Sequence, residues 1–254
     1  MKKTIFKIIF FFILLVLLLL AVLFFNGYMV FKELTSEKSI TERVAEIRAI
    51  EHYTKMENVA INYKNAVVAV EDHRYFDHGA VDIIAIARAI VRNISEKDFV
   101  EGGSTITQQT AKNLFLIGND TGNNIGRKVA EALISIELEK NYSKNDILEL
   151  YINSIYFGNG YYNIYDASMG YFAKKPEELS LYEATMLAGI PNAPSLYAPT
   201  VNFDLTKSRQ MKVVSSMKEY GYITESQALE LENYIYSVQE FHLPDTDTNK
   251  TTTE

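Results

Sequence analysis

Apolar positions along this chain fall into three regimes. At the N-terminus they are contiguous: Ile8 to Phe25 contains no polar residue. As a helix that run spans about 27 Å at roughly 1.5 Å per residue, and with Ile5 and Phe6 it approaches a hydrocarbon core of about 30 Å. Lys2, Lys3 and Lys7 lie before it, which predicts a cytoplasmic N-terminus with the remainder outside. A cleaved signal peptide would carry a shorter apolar region and a small-x-small site. Neither Ala21-Val22-Leu23 nor Phe25-Asn26-Gly27 supplies one, so the run reads as a retained anchor.

The second regime has helical spacing. Thr41 to Ile50 predicts a short juxtamembrane helix, with Thr41 at its N-cap and Val44, Ile47 and Ala49 as apolar positions. Asn65 to Val70 is a short apolar run that ends in the acidic pair Glu71-Asp72. Asp82 is placed to cap a helix whose expected inner face is Ile83, Ile86, Ala87, Ile90 and Val91. Thr105 to Leu116 and Arg127 to Lys140 read as helices, the latter with Val129, Leu133 and Ile136 on related faces. Ser143 with Asp146 opens a helix over Ile147 to Phe157 that Gly158-Asn159-Gly160 should stop. Ser180 with Glu183 opens Leu181 to Ile190, stopped by Pro191, and Thr224 with Gln227 opens a last helix. No β-alternation of comparable length occurs, so the fold class is mainly α. In the third regime, Phe241 to Glu254, apolar periodicity is lost among Thr and Asp, and the tail reads as disordered.

Composition narrows the chemistry. The chain has no cysteine, which excludes disulfides and thiolate metal sites. Its net charge of −7 and the lack of an arginine-rich stripe argue against a nucleic-acid partner. Any hold on phosphate must therefore be local and basic.

One segment concentrates such groups. Gly102-Gly103-Ser104-Thr105-Ile106-Thr107-Gln108-Gln109 carries a dense row of hydroxyls and amides, with Lys112 following. Buried polar side chains each need a hydrogen-bond partner, so a packed core has little use for such a row. A capping box explains Thr105 and Gln108 and leaves Ser104, Thr107, Gln109 and Lys112 unexplained. The glycines allow the backbone to approach a ligand closely. Glu71 sits where an apolar segment opens into polar chain. It is either one half of a solvated acidic pair or a carboxylate set against apolar surface, able to act as a base.

The glycine-bearing block, read with Glu71-Asp72-x-x-Tyr75-x-x-His78 and Arg127-Lys128-x-x-Glu131, resembles the peptidoglycan glycosyltransferases. These enzymes polymerise lipid II, alone or as the N-terminal half of bifunctional penicillin-binding proteins. The resemblance covers roughly residues 60 to 200 and includes Glu149-x-Tyr151-x-Asn153, where Asn153 is expected to satisfy buried backbone. It implies a lysozyme-like glycosyltransferase domain behind a single N-terminal transmembrane helix. It implies Glu71 as the general base and Glu131 as the second essential carboxylate. Asp72, His78, Ser104, Thr105, Gln108, Gln109, Lys112, Arg127 and Lys128 become the candidate substrate-binding residues. His78 either hydrogen-bonds the acidic pair or is a satisfied interior histidine, and Tyr75 reads as packing.

No cofactor is required on this reading, and a Mg2+ or Mn2+ ion at the diphosphate, with Asp72 as its candidate ligand, is the one option it leaves open. The implied partners are lipid II, the growing glycan strand, the bilayer through residues 5–25, and cell-wall transpeptidases. Phe115, Leu116 and Ile117 are expected to be exposed and to dip into lipid. The chain departs from the family in having Ala80 at a usual glycine and no basic residue in Ile117 to Gly126.

Four segments are expected: 1–27 a cytoplasmic stub and anchor, 28–55 juxtamembrane, 56–238 the glycosyltransferase domain, and 239–254 the tail. A Ser-x-x-Lys occurs at Ser215 to Lys218 without the partner motifs of a transpeptidase, so a monofunctional form is expected. The rival readings are a lysozyme-like lytic enzyme, which needs a general acid for its sugar leaving group, and a non-catalytic membrane-tethered scaffold of cell-wall assembly.

Overall fold

A computed structural model describes residues 2–96, 102–118 and 124–244. Among the described residues the regular structure is helical and no strand occurs. The α-helices are α1 (Lys2–Glu37), α2 (Ile40–Arg48), α3 (Ile61–Glu71), α4 (Ile83–Glu96), α5 (Ile106–Phe115), α6 (Asn124–Asn141), α7 (Lys144–Ile152), α8 (Ile164–Phe172), α9 (Leu181–Gly189), α10 (Pro194–Tyr197), α11 (Phe203–Glu219) and α12 (Glu225–Ser237).

Helix starts follow local side-chain chemistry. The boxes Thr105/Gln108, Ser143/Asp146, Ser180/Glu183 and Thr224/Gln227 all form, each N-cap oxygen accepting from the backbone N–H three residues on. Helix α2 is capped by Ser39, not by Thr41. Three residues after Ser39 stands Glu42, which returns a carboxylate to the Ser39 N–H at 2.7 Å. Three residues after Thr41 stands Val44, which cannot. Asp82 caps α4 as expected, accepting from the N–H groups of Ile84 and Ala85 at 2.9 and 3.0 Å. The run Asn65 to Val70 belongs to the longer helix α3.

Helix α7 ends at Ile152, ahead of the Gly158-Asn159-Gly160 stop. The end is set by Asn153, whose amide donates to the carbonyls of Glu149 and Thr54 at 2.7 and 2.8 Å and whose oxygen accepts the Thr54 N–H at 2.8 Å. Asn153 thus satisfies buried backbone on two segments at once. Gly158 is left-handed at φ +78°, and a Cβ there would sit 2.7 Å from the Ala198 Cβ.

Two apolar cores result. The larger surrounds α3, where Tyr63 and Val67 pack with Tyr151, Leu187 and Val213. The smaller joins Leu34 of α1 and Val44 of α2 to Leu114, Phe115, Ile134 and Leu138. Phe115 and Leu116 are therefore interior residues, and of the trio expected to meet lipid only Ile117 is exposed, at 61%. The buried stripe of α6 is Ala130, Ile134 and Leu138, at i, i+4 and i+8, while Ile136 is exposed.

Helix α1 runs on past Gly27 without a break and lies along α6. A Cβ at Gly27 would fall 2.3 Å from the Val129 Cβ and 3.0 Å from the Gly126 carbonyl oxygen. The glycine that read as the end of the anchor instead allows the closest approach between two helices. The stretch Lys3–Glu37 is long and apolar enough to cross a membrane, with a mean hydropathy of 3.6 in its most apolar window.

Helix α4 keeps Ile86 of its expected inner face inward and turns Ile83, Ala87, Ile90 and Val91 outward. Ile83, Ile84, Ala87, Ile90, Val91 and Ile94 form one stripe at helical spacing, and it points outward; Ile83 is 77% and Val91 69% exposed. The inward positions are Ile86 and Ala89, and Gly103 presses on Ile86, with 3.1 Å between the Ile86 Cα and the place a Cβ would occupy. The close approach that Gly103 permits is thus to this helix.

Candidate active site

Glu71 is the last residue of α3, and Asp72 already leaves the helix with φ −162° and ψ 74°. The Glu71 side chain is nonetheless only 9% exposed. Its Oε2 accepts from Gln109 Nε2 on α5 at 2.7 Å, and its Oε1 faces Arg209 Nη2 on α11 at 3.4 Å. Below it lie two fully buried tyrosines, Tyr63 and Tyr151. Burial, then the Glu71 charge, pushes both phenols well above their ordinary range.

Asp72 turns the other way. Its Oδ2 accepts the Ile106 N–H at 3.0 Å, at the first turn of α5, and its Oδ1 lies 2.7 Å from His78 Nε2. His78 Nδ1 meets the Gly79 carbonyl, so both ring nitrogens face acceptors. Of the two readings of His78, the hydrogen bond to the acidic pair is the one that forms. Asp72 and His78 are buried side chains that tie the end of α3 to the start of α5.

The polar row divides by role. Thr105 and Gln108 are buried and committed to the helix start: Thr105 Oγ1 donates to the Ala80 carbonyl at 2.7 Å, and Gln108 Oε1 accepts the Thr105 N–H at 3.1 Å. They therefore do not line a cleft. Thr107 is also interior, donating to Glu139 at 2.7 Å. Ser104 and Gln109 are the partly exposed members, one facing α6 and the other Glu71.

A second carboxylate lies under a group of cations. Glu131 on α6 is buried, and Lys128 pairs with it while donating to Ser104 Oγ at 2.8 Å. Burial pushes the Glu131 carboxyl up, against the pull of the Lys128 hydrogen bond and the charges of Lys128, Lys112 and Arg127. Lys112 is exposed on α5. Arg127 donates to the Leu116 carbonyl at 2.8 Å, pinning the end of α5 to the start of α6. The ion pair that reaches Glu131 from its own helix comes from Lys128.

Helix α5 connects the two halves. Gln109 holds Glu71, and Lys112, three residues on, occupies the neighbouring position of the same face, roughly 4.5 Å further along the axis. Glu71, Gln109, Lys112, Ser104, Lys128, Glu131 and Arg127 thus fall along one helix pair and its approaches. The expected set did not include Arg209. The available signal was an arginine set i−4 from Val213 and i+3 from Thr206, both buried positions of one helix.

Asp72, His78 and Asp82 each offer a ligand atom within 4.8 Å of the others. Both Asp72 oxygens are already taken, and Asp82 is paired with Arg74 as well as capping α4. A Mg2+ or Mn2+ ion wants several unengaged oxygens, and this trio does not supply them.

A mainly helical domain with one held carboxylate and a second buried one beside a basic cluster defines the class of site. The family described as Transglycosylase matches residues 37–218. Penicillin-binding protein 1F of Bacillus subtilis is 38% identical over 218 residues, covering 82% of this chain and 30% of that protein. Penicillin-binding protein 1A of Neisseria flavescens is 43% identical over 175 residues (69% and 22%), and that of Aquifex aeolicus 42% over 181 (71% and 24%). The chain thus spans less than a third of the length of each of these relatives. It belongs to the peptidoglycan glycosyltransferase (transglycosylase) family, whose domain is lysozyme-like.

Proposed function

We propose that the protein polymerises lipid II into β-1,4 glycan strands at a membrane surface, with inversion at the reacting carbon and release of undecaprenyl diphosphate. The observation that carries this reading is the bridging by α5: Gln109 fixes Glu71, and one turn on Lys112 joins the cations around Glu131. Glu71 takes the proton of the acceptor GlcNAc 4-hydroxyl as that oxygen bonds to the donor anomeric carbon. The bond from that carbon to the diphosphate breaks, and its electron pair leaves with the lipid diphosphate. General-base assistance of this kind is worth about 10² to 10⁴ in rate. The leaving group is already a stable anion, so cations matter more than a proton donor; Lys112, Lys128 and Arg127 serve there, and Glu131 orients them.

A lytic enzyme would instead need an acid to protonate a sugar leaving group. It would have no need of the cations Lys112, Lys128 and Arg127 that act on Glu131. The N-terminus lies in the cytoplasm, α1 crosses the bilayer once, and the outward stripe of α4 rests against lipid beside the site. The growing strand and the transpeptidases that cross-link it are the partners.

The test is polymer formation from purified lipid II by the full chain in lipid vesicles. Glu71→Gln should abolish it with unchanged helical content, and Lys112→Ala should reduce it severely. Polymerisation by Glu71→Gln at the wild-type rate would remove the reading.

A further inference from the structure

Glu71 has an unusual position for a side chain that must point in one direction. It ends α3, so no following turn of its own helix supports it. The last torsion of a glutamate is soft, with broad two-fold preferences. A carboxylate held through one oxygen can still rock about that torsion, whereas one held through both oxygens cannot. Gln109 supplies one hold, at 2.7 Å on Oε2.

We propose that Arg209 is the second hold, a positioning residue that fixes the plane of the Glu71 carboxylate and leaves Oε1 facing the acceptor hydroxyl. The proposal rests on Glu71 being the base. Arg209 Nη2 lies 3.4 Å from Glu71 Oε1, and its side chain is 13% exposed. The guanidinium is itself anchored, since Nε donates to the Gly189 carbonyl at 3.3 Å, where α9 ends. Gly189 makes room for it: a Cβ at that position would stand 3.1 Å from the Arg209 Cγ. One planar fork thus spans a backbone carbonyl and the base, which an ammonium group cannot reproduce.

The unequal lengths of the two contacts have a chemical meaning. Charge-assisted N–H···O bonds run near 2.7–2.9 Å. The Gln109 contact is close, and the Arg209 contact is longer than that range. Each carboxylate oxygen has two acceptor positions, so Oε1 can face Arg209 and still receive a proton, while the nearby positive charge offsets that of a carboxylate taken largely out of water.

The experiment compares the full-length wild type, Arg209→Lys and Arg209→Met in lipid vesicles, measuring kcat and KM for lipid II together with the thermal midpoint. Arg209→Lys should melt near the wild type and keep its KM, with kcat down about tenfold; Arg209→Met should lose roughly 10²-fold in kcat. If Arg209→Met does not fold, Arg209→Lys decides alone. A kcat for Arg209→Lys within twofold of wild type overturns the proposal. So does a loss that appears only in KM. Failure of the base assignment is distinct: Glu71→Gln itself would then polymerise lipid II.

Discussion

Lys128 donates to the Ser104 hydroxyl at 2.8 Å, joining α6 to the segment that leads into α5. The same ammonium pairs with Glu131, so one side chain clasps the buried carboxylate and the polar row together. Its hydrogen bond is the leading influence pulling the Glu131 carboxyl down against burial. Lys128→Met should therefore move that carboxyl further up. On the proposed reading Glu131 orients the cations only when charged, so activity should fall as pH drops through its pKa, and in Lys128→Met that fall should begin at higher pH. Polymerisation rates measured across mildly acidic to neutral pH check this; coincident acid limbs would contradict it.

Asp82 and Arg74 give a stability prediction. Burial raises the Asp82 carboxyl, but the Arg74 hydrogen bond and the Ala85 N–H outweigh it and bring the value to about 2, below the ordinary 3.8. A depressed carboxylate contributes stability that is present above its unfolded value and lost as pH falls through the folded one. Asp82→Asn should lower the thermal midpoint at neutral pH. That deficit should shrink between about pH 4 and pH 2, and a constant deficit over that window would refute the assignment.

The outward stripe of α4 predicts a dependence on the lipid phase. Ile84→Asp with Val91→Asp places two charges on a face that packs against no other part of the described chain. Glycan synthesis in vesicles should drop by about an order of magnitude, given a cost of a few kcal/mol for a charge in lipid. Synthesis in detergent solution, where the face can stay wet, should change little. Equal losses in both media would mean that the stripe packs against protein.

Gly27 is predicted to tolerate no side chain. Gly27→Val would drive a Cβ into Val129 and force α1 away from α6, the helix that carries Arg127, Lys128 and Glu131. Overpacking of this kind costs about 1–3 kcal/mol. Both the thermal midpoint and the polymerisation rate should fall, and a variant with neither change would show that the two helices separate freely.

What could be read from the chain alone was what is encoded over short distances. The boxes at Thr105, Ser143, Ser180 and Thr224 depend on residues three apart, and all four form. The facing of α4 was misread because periodicity marks an apolar side without saying whether protein or lipid meets it. Thr105 and Gln108 read equally well as cap and as cleft lining, and only the burial of α5 separates the two. Arg209 escaped notice because its partner lies 138 positions away in sequence. Glu71, by contrast, was marked by its place at the end of an apolar run.

The unbroken passage of α1 from its apolar half onto α6 acts as a ruler. Residues 28–37 rise about 15 Å at roughly 1.5 Å per residue, and Leu34 is locked into the smaller core. On the proposed reading, with the apolar half in a bilayer, α1 sets the height of α6, and so of Lys128 and Glu131, over the headgroups. A chain cut near Gly27 would leave the flank of α6 bare and lose that gauge of altitude, even with every side chain around Glu71 intact.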